Sequence, residues 1–150
     1  MLSELNQIEI RQVLETMVIG RLGCTDGVKV YIVPIFYRLK EDSIICFSLE
    51  GQKIELMRKN PSVCFEVDQI RDANHWKCVI INGIFEEITD KNDLAELRPH
   101  YNEYFLRKRA TLNSAPTING MPDTHHTDYL QVFFRIRFKE LTGRSADGID

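Results

Sequence analysis

The stretch SLEGQKIELMRKNPSVCFEV, residues 48–67, decides how this chain is read. A strand-like run ends at Ser48, Gly51 and Lys53 open a short helix from about Gln52 to Lys59, and Asn60-Pro61 ends it. The next segment, SVCFEVDQI, alternates, with Val63, Phe65 and Val67 on one face and Glu66 and Asp68 on the other. A sheet interrupted by one compact basic helix raises two questions: what the rest of the sheet is, and what sits at the start of that helix.

Upstream, residues 4–17 place Leu5, Ile8, Val13, Leu14 and Met17 on a helical stripe. VIGRLGCT then leads to Asp26-Gly27, a hairpin signal, and to VKVYIVPIFYRLK and SIICFSL. Downstream, WKCVIINGIFEEI is a long strand in which Gly83 marks a bulge or a close backbone approach. A second helical region begins near Thr89 and Asp90, carries Leu94, Leu97, Tyr101, Tyr104 and Phe105, and is kinked or divided by Pro99. Residues 111–127 form a polar loop, and YLQVFFRIRFKEL ends the sheet. In that strand Leu130, Val132, Phe134, Ile136 and Phe138 point inward, and Gln131, Arg135, Arg137 and Lys139 point mostly outward. Six strands separated mostly by turns predict a mainly β fold, a six-stranded antiparallel barrel with peripheral helices. A doubly wound parallel sheet would need a helix between nearly every pair of strands.

The composition sets wide bounds. At 150 residues the chain reads as a single domain, residues 1–150, able to bury roughly 68–70% of its unfolded surface without a metal or disulfide. A net charge of −3 argues against nucleic acid as a partner, and no apolar run reaches the length of a membrane span. The acidic, amphipathic N-terminus is no signal peptide, so the expected address is cytoplasmic. Cys24, Cys46, Cys64 and Cys78 are too widely spaced for a zinc or C-x-x-C site and read as reduced, mostly buried side chains. His75, His100, His125 and His126 form no metal-binding spacing. No metal is expected, and no catalytic group is defined.

Two features carry chemistry. VYIVPIFY, residues 30–37, is apolar on both faces, yet Pro34 cannot donate to a ladder bond. Such a strand needs cover other than a neighbouring strand, either a flat heteroaromatic ligand or a second subunit. At the helix start, unpaired backbone N–H groups attract anions, phosphate above all. Gly51 lets the backbone approach closely, and Lys53, slightly unfavourable beside the helix dipole, becomes useful once an anion is bound. The Walker pattern G-x-x-x-x-G-K-[ST] is missing, so a nucleoside triphosphatase is not implied.

Taken in order, these segments resemble the FMN-binding split-barrel superfamily of pyridoxamine-phosphate oxidase, in its Nim-type (nitroimidazole-resistance) flavin-nucleotide-binding branch. The shared pattern runs through Gly20 to Leu22, Val33 to Ile35, Gly51 to Lys53, Asn60 to Val67, Trp76 to Gly83 and Thr142 to Arg144, about residues 8 to 145 in all. The resemblance implies a homodimer with FMN at the subunit interface, FAD or haem being the lesser alternatives. It implies Val33, Pro34 and Ile35 along the isoalloxazine ring, Phe47 and Ser48 beside the ring and ribityl chain, and Gly51, Gln52 and Lys53 on the phosphate. Cys78 falls where oxidases of the superfamily carry a polar side chain near the ring, and Arg21 and Arg144 are placed at the flavin or the interface.

Two departures qualify the implied activity. Ser48 stands where the Nim-type pattern has histidine, and the basic residues that a pyridoxamine-phosphate substrate requires are not recognisable. The expected function is therefore a flavin-dependent reductase of small electrophilic acceptors, nitroaromatic or quinone-like. The alternative is a non-enzymatic flavin or haem binder, His125-His126 being the haem reading.

Overall fold

The computed structural model describes residues 1–99 and 131–148. In chain order the elements are β1 (Leu2–Glu4), α1 (Gln7–Thr16), β2 (Ile19–Thr25), β3 (Val30–Lys40), β4 (Ser43–Leu49), α2 (Gln52–Lys59), β5 (Ser62–Asp72), β6 (His75–Glu87) and β7 (Gln131–Asp147). A third helix, α3, occupies 91–99. Every strand pairing is antiparallel, and the order β7-β4-β3-β2-β5-β6 closes on itself through a β6–β7 ladder. The expected fold, a six-stranded antiparallel split barrel with peripheral helices, is the one observed. The short β1 is an addition, pairing with the far end of β7 from Leu2↔Ala146 to Glu4↔Arg144.

The barrel is split at β3. Residues 30–36 of β3 pair with β2, from Thr25↔Val30 to Ile19↔Phe36, whereas residues 37–40 pair with β4, from Tyr37↔Cys46 to Lys40↔Ser43. Past Cys46, Phe47 to Leu49 of β4 pair with β7 alone. β3 and β4 therefore diverge and leave a seam.

Inward side chains and both early helices fill the barrel. Leu22, Tyr37, Ile44, Cys46, Phe65, Val67, Val79, Ile81, Phe134 and Ile136 form one cluster with Ile10, Val13 and Leu14 of α1 and Ile54 and Met57 of α2. Each such buried apolar side chain contributes about 1.5–3 kcal/mol relative to an exposed one. Tyr37 adds specificity: its hydroxyl donates to the Leu14 carbonyl at 2.8 Å, and its ring meets Phe65 edge-on at 5.4 Å.

The details amend several expectations. Helix α1 starts at Gln7 behind a capping box, in which the Asn6 side chain accepts from Glu9 N–H and Glu9 accepts from Asn6 N–H. That start puts Ile10, Val13 and Leu14 on the buried stripe and turns Ile8 outward, 71% exposed. Asp26-Gly27 does turn the chain, but within a four-residue loop rather than a two-residue one. Asp26 accepts from both Val28 N–H and Lys29 N–H there, and Gly27 takes φ 98°. In β7, Phe133 is buried rather than outward, because Leu94 and Leu97 of α3 cover it together with Ile45 and Ile88. Of the cysteines only Cys24 and Cys46 are buried, while Cys64 and Cys78 are half-buried on the outer face. Tyr101, Tyr104, Phe105, Leu130, His100, the 111–127 loop and His125-His126 lie outside the described residues.

Gly83 is both a bulge and a close approach. The β6–β7 register shifts between Asn82 and Gly83, and a Cβ at Gly83 would run into the Arg137 carbonyl oxygen and lie 2.7 Å from Ile136 Cγ2. Backbone cannot yield cheaply, so Gly83→Ala is expected to cost about 2 kcal/mol or more. Gly23→Ala, whose Cβ would lie at an ordinary 3.6 Å from the Cys64 carbonyl, should stay within about 0.5 kcal/mol. Urea denaturation midpoints of the two variants check the contrast.

Candidate functional site

The seam is built by strand alternation. Tyr37 N–H donates to the Val18 carbonyl on the β2 side, and the register continues without a shift through Ile35↔Gly20 and Val33↔Leu22. In an antiparallel ladder successive residues turn their N–H and C=O groups to opposite edges. The Pro34 nitrogen therefore faces away from β2, toward the edge with no strand. A residue that cannot donate sits where no ladder donor is required. The Pro34 carbonyl and the Ile32 amide and carbonyl are directed to that same edge, a short row of polar groups between apolar side chains.

The side chains of the seam divide between two faces. Val33 is half-buried and Ile35 buried on the inner face, with Tyr31 beside them, whereas Pro34 is exposed on the outer face. Across the seam, Ser48 turns inward and is 8% exposed. Phe47 turns outward and stacks on Phe133 at 5.7 Å. Phe47 and Ser48 thus cannot flank a ring with their side chains from one side, and only their backbone edge is common to the seam.

Helix α2 begins at the end of this seam. Gly51 is the residue before its first turn, and no side chain caps that turn. Gln52 is exposed and donates to the Tyr31 hydroxyl at 3.0 Å, tying the helix start to β3. Tyr31 was not expected at the site; its period-two relation to Val33 is the signal that places it there. Lys53 is half-buried rather than exposed, close enough to Cys24 for its charge to offset part of the burial that pushes that thiol up. Among the described residues no carboxylate lies within ion-pair distance of Lys53.

Glu50 would repel an anion at this turn, but it is neutralised. Arg58 Nη2 reaches Glu50 Oε1 at 2.6 Å, and Arg58 Nε reaches Glu87 Oε1 at 2.7 Å, so one guanidinium from the last turn of α2 satisfies both carboxylates. The two acids in turn raise the Arg58 pKa above its already high ordinary value. Asn60 Nδ2 donates to the Thr25 carbonyl at 3.3 Å and anchors the far end of the helix. Among the described residues the first turn is left with unpaired N–H groups, the Lys53 cation and one further acid, Glu55, so a phosphate would be held by the N–H groups and Lys53.

Arg21, Cys78 and Arg144 lie elsewhere. All three project from the outer face: Arg21 is the cross-strand partner of Pro34, and Cys78 pairs with Asp68 on one side and Arg144 on the other. From β3 to β6 is three interstrand steps of about 4.8 Å, roughly 14 Å. Cys78 and Arg144 line a depression of about 580 Å³ together with Trp76, and that depression includes no seam residue. Arg21 meets Asp68 at 3.2 Å and Glu66 at 3.7 Å. The Cys78 thiol donates to Glu66 Oε2 at 3.3 Å and is pushed up to about 12, first by burial and then by Glu66. One chain therefore separates the expected site residues into a seam group and an outer-face group.

Among the described residues no group of acids, cysteines and histidines could hold a metal ion, and no helix is long and apolar enough to cross a membrane. The sequence profile of the pyridoxamine 5'-phosphate oxidase family matches residues 6–145. An uncharacterised protein of Rhizobium meliloti is 30% identical over 128 residues, 85% of this chain and 84% of that protein. A FAD-binding protein from Mesorhizobium loti superposes with a TM-score of 0.79 at 30% identity, over 98% of this chain and 99% of its own. A candidate 5-nitroimidazole antibiotic resistance protein from Bacteroides thetaiotaomicron shares the fold with a TM-score of 0.68 at 16% identity, over 97% and 87%. With the family profile matched over residues 6–145 and the barrel superposing along almost its whole length, the chain belongs to the pyridoxamine 5'-phosphate oxidase family.

Proposed function

We propose that the chain is one half of a homodimeric flavoprotein that holds FMN, or the FMN-like portion of FAD, along the β3 seam and reduces small electrophilic acceptors. The observation that carries this reading is the alignment of an unpaired strand edge at Pro34 with an anion-ready helix turn at Gly51, Gln52 and Lys53. A flat ring carrying donors and acceptors suits the edge, and a phosphate at the end of a flexible chain suits the turn. The Mesorhizobium loti protein is named for binding FAD, which supports a flavin here. FMN and FAD share the ring, ribityl chain and first phosphate, and the seam and turn address only that shared part.

The division of the site supports a second copy. A single flavin cannot touch the seam and the Cys78–Arg144 group of the same chain across roughly 14 Å of sheet. Exposed Val30 and Ile32, with Pro34 between Ile32 and the barrel waist, give the outer face the apolar character of a subunit interface. Bound flavin would carry the electrons, while the chain orients it and excludes water. Among the described residues the charges near the seam lie at its α2 end, and the apolar side chains along the rest of it suit nitroaromatic or quinone-like compounds. An absorption spectrum of freshly purified protein separates flavin from haem, and NAD(P)H turnover with a quinone separates a reductase from a binder.

Lys53→Gln keeps the inner two methylenes of a half-buried side chain and removes its charge. It should weaken FMN binding by about 10- to 150-fold, the equivalent of one charge-assisted hydrogen bond. Riboflavin, which has no phosphate, should bind as before. Equal losses for both ligands in a fluorescence titration would point to a general structural effect, and no loss for either would place the phosphate elsewhere.

If each site draws on two chains, Lys53→Gln and Arg144→Ala should complement each other. Each variant alone has only damaged sites, but a mixed dimer has one site built from two intact halves. Mixing the weakly binding variants after mild denaturation and refolding should restore tight flavin sites. A mixture that binds no better than its parents would assign both residues to one chain's site.

A further inference from the structure

The outer face of β2, β5 and β6 contains a carboxylic acid that the flavin reading leaves without a role. Glu66 lies in a row across the sheet, opposite Arg21 on β2 and Ile80 on β6, with Pro34 beyond Arg21. Among the described residues its Oε1, sealed from solvent, has no hydrogen-bond partner and only a 3.7 Å ionic contact with Arg21, and its Oε2 accepts from the Cys78 thiol. The Glu4–Gln7 segment borders this face beside Cys78 and Ile80, and the exposed Val30 and Ile32 flank it on β3. We propose that Glu66 takes up a proton when a second copy of this chain closes over this face, so that dimerisation is linked to pH. The inference rests on the homodimer reading above.

The charged and titratable groups around Glu66 set the sign. Arg21 faces it from β2, Asp68 and Cys64 from β5, and Cys78 from β6. One guanidinium stands against two carboxyl groups, and its shorter contact, 3.2 Å, is to Asp68. Asp68 takes the hydrogen bond from Arg21, and Glu66 keeps the thiol and only the longer ionic contact to the shared guanidinium. Burial and the adjacent Asp68 carboxyl already hold Glu66 above the usual carboxylate range, against the downward pull of Cys78 and Arg21. Water still reaches the face, since the Glu66 and Asp68 side chains are 27% and 18% exposed. A second subunit would remove that water, and desolvation disfavours the charged form. The dimer then binds protons more tightly than the monomer. It is favoured at low pH and weakens as pH rises through the window between the two affinities.

Sedimentation velocity of the wild-type protein from about pH 4.5 to 8, where ordinary and raised carboxyl groups titrate, tests this. The dimerisation constant should fall by up to about tenfold per pH unit for each proton taken up. Glu66→Gln, which is isosteric and permanently neutral, should remain dimeric at the upper end and lose most of the slope. Dilution calorimetry of the wild-type protein in buffers of different ionisation enthalpy should show proton release on dissociation, independently of any variant. A dimer whose affinity ignores pH, or a Glu66→Gln variant that keeps the wild-type slope, would overturn the linkage and leave the homodimer standing. A dimer that tightens as pH rises would also overturn it, by showing that the second copy brings a cation to Glu66. A monomer at every pH would remove the homodimer reading and the linkage together.

Discussion

A backbone hydrogen bond that cannot be made organises this barrel. The Pro34 nitrogen faces the β4 side of β3 and has no hydrogen to give, so a strand continuing alongside it would bury a carbonyl without a donor, at a cost of about 1–3 kcal/mol. The chain avoids that cost by exchanging partners. β3 pairs with β2 up to Phe36 and with β4 from Tyr37 onward, and β4 turns away to β7. The exchange takes place where Tyr37 is locked, its N–H on Val18, its hydroxyl on Leu14 and its ring on Phe65. The seam is held open by a rigid core residue directly below it.

The same partner exchange explains where α2 must go. β4 leaves β3 at Phe47, and the following residues can enter a helix only over the end of the barrel, where Ile54 and Met57 plug the core. The helix start then faces the seam and its last turn faces β6. That orientation brings Arg58 between Glu50 and Glu87, and both acids are neutralised by a cation remote from the turn. Arg58 keeps Glu50 and Glu87 from Lys53, and Glu55 is the acid left in the first turn. A local charge pattern that reads in sequence as mixed is sorted by the fold into one paired cluster and a helix start that keeps Lys53 beside Glu55.

The outer face obeys a different balance. Barrel strands usually turn charged residues to water, but β5 and β6 turn Glu66, Asp68, Cys64 and Cys78 toward one another beside apolar Ile32 and Ile80. An acid pair sharing one guanidinium in partly dehydrated surroundings is costly as an isolated surface, because each carboxylate lowers the other's affinity for negative charge. The cost is limited while water still reaches the pair, at 27% and 18% side-chain exposure.

The sequence by itself determined the periodicities. The alternation in β5 and β7, the helix from Gln52 to Lys59, the stop at Asn60-Pro61 and the special place of Gly83 were all legible, because each depends on residues within a few positions of one another. Pro34 announced an unpaired edge for the same local reason. Tertiary structure decided which partner each strand edge found and which face each outward side chain met. Ile8 turned to solvent because the Asn6 cap fixed the helix phase, and Phe133 was buried because α3 happened to cross it. Phe47 and Ser48, adjacent in sequence, were assigned opposite faces, and Cys78 was set beside Glu66, twelve residues away. Local backbone chemistry fixes the elements; long-range packing alone selects the neighbours from which a site is made.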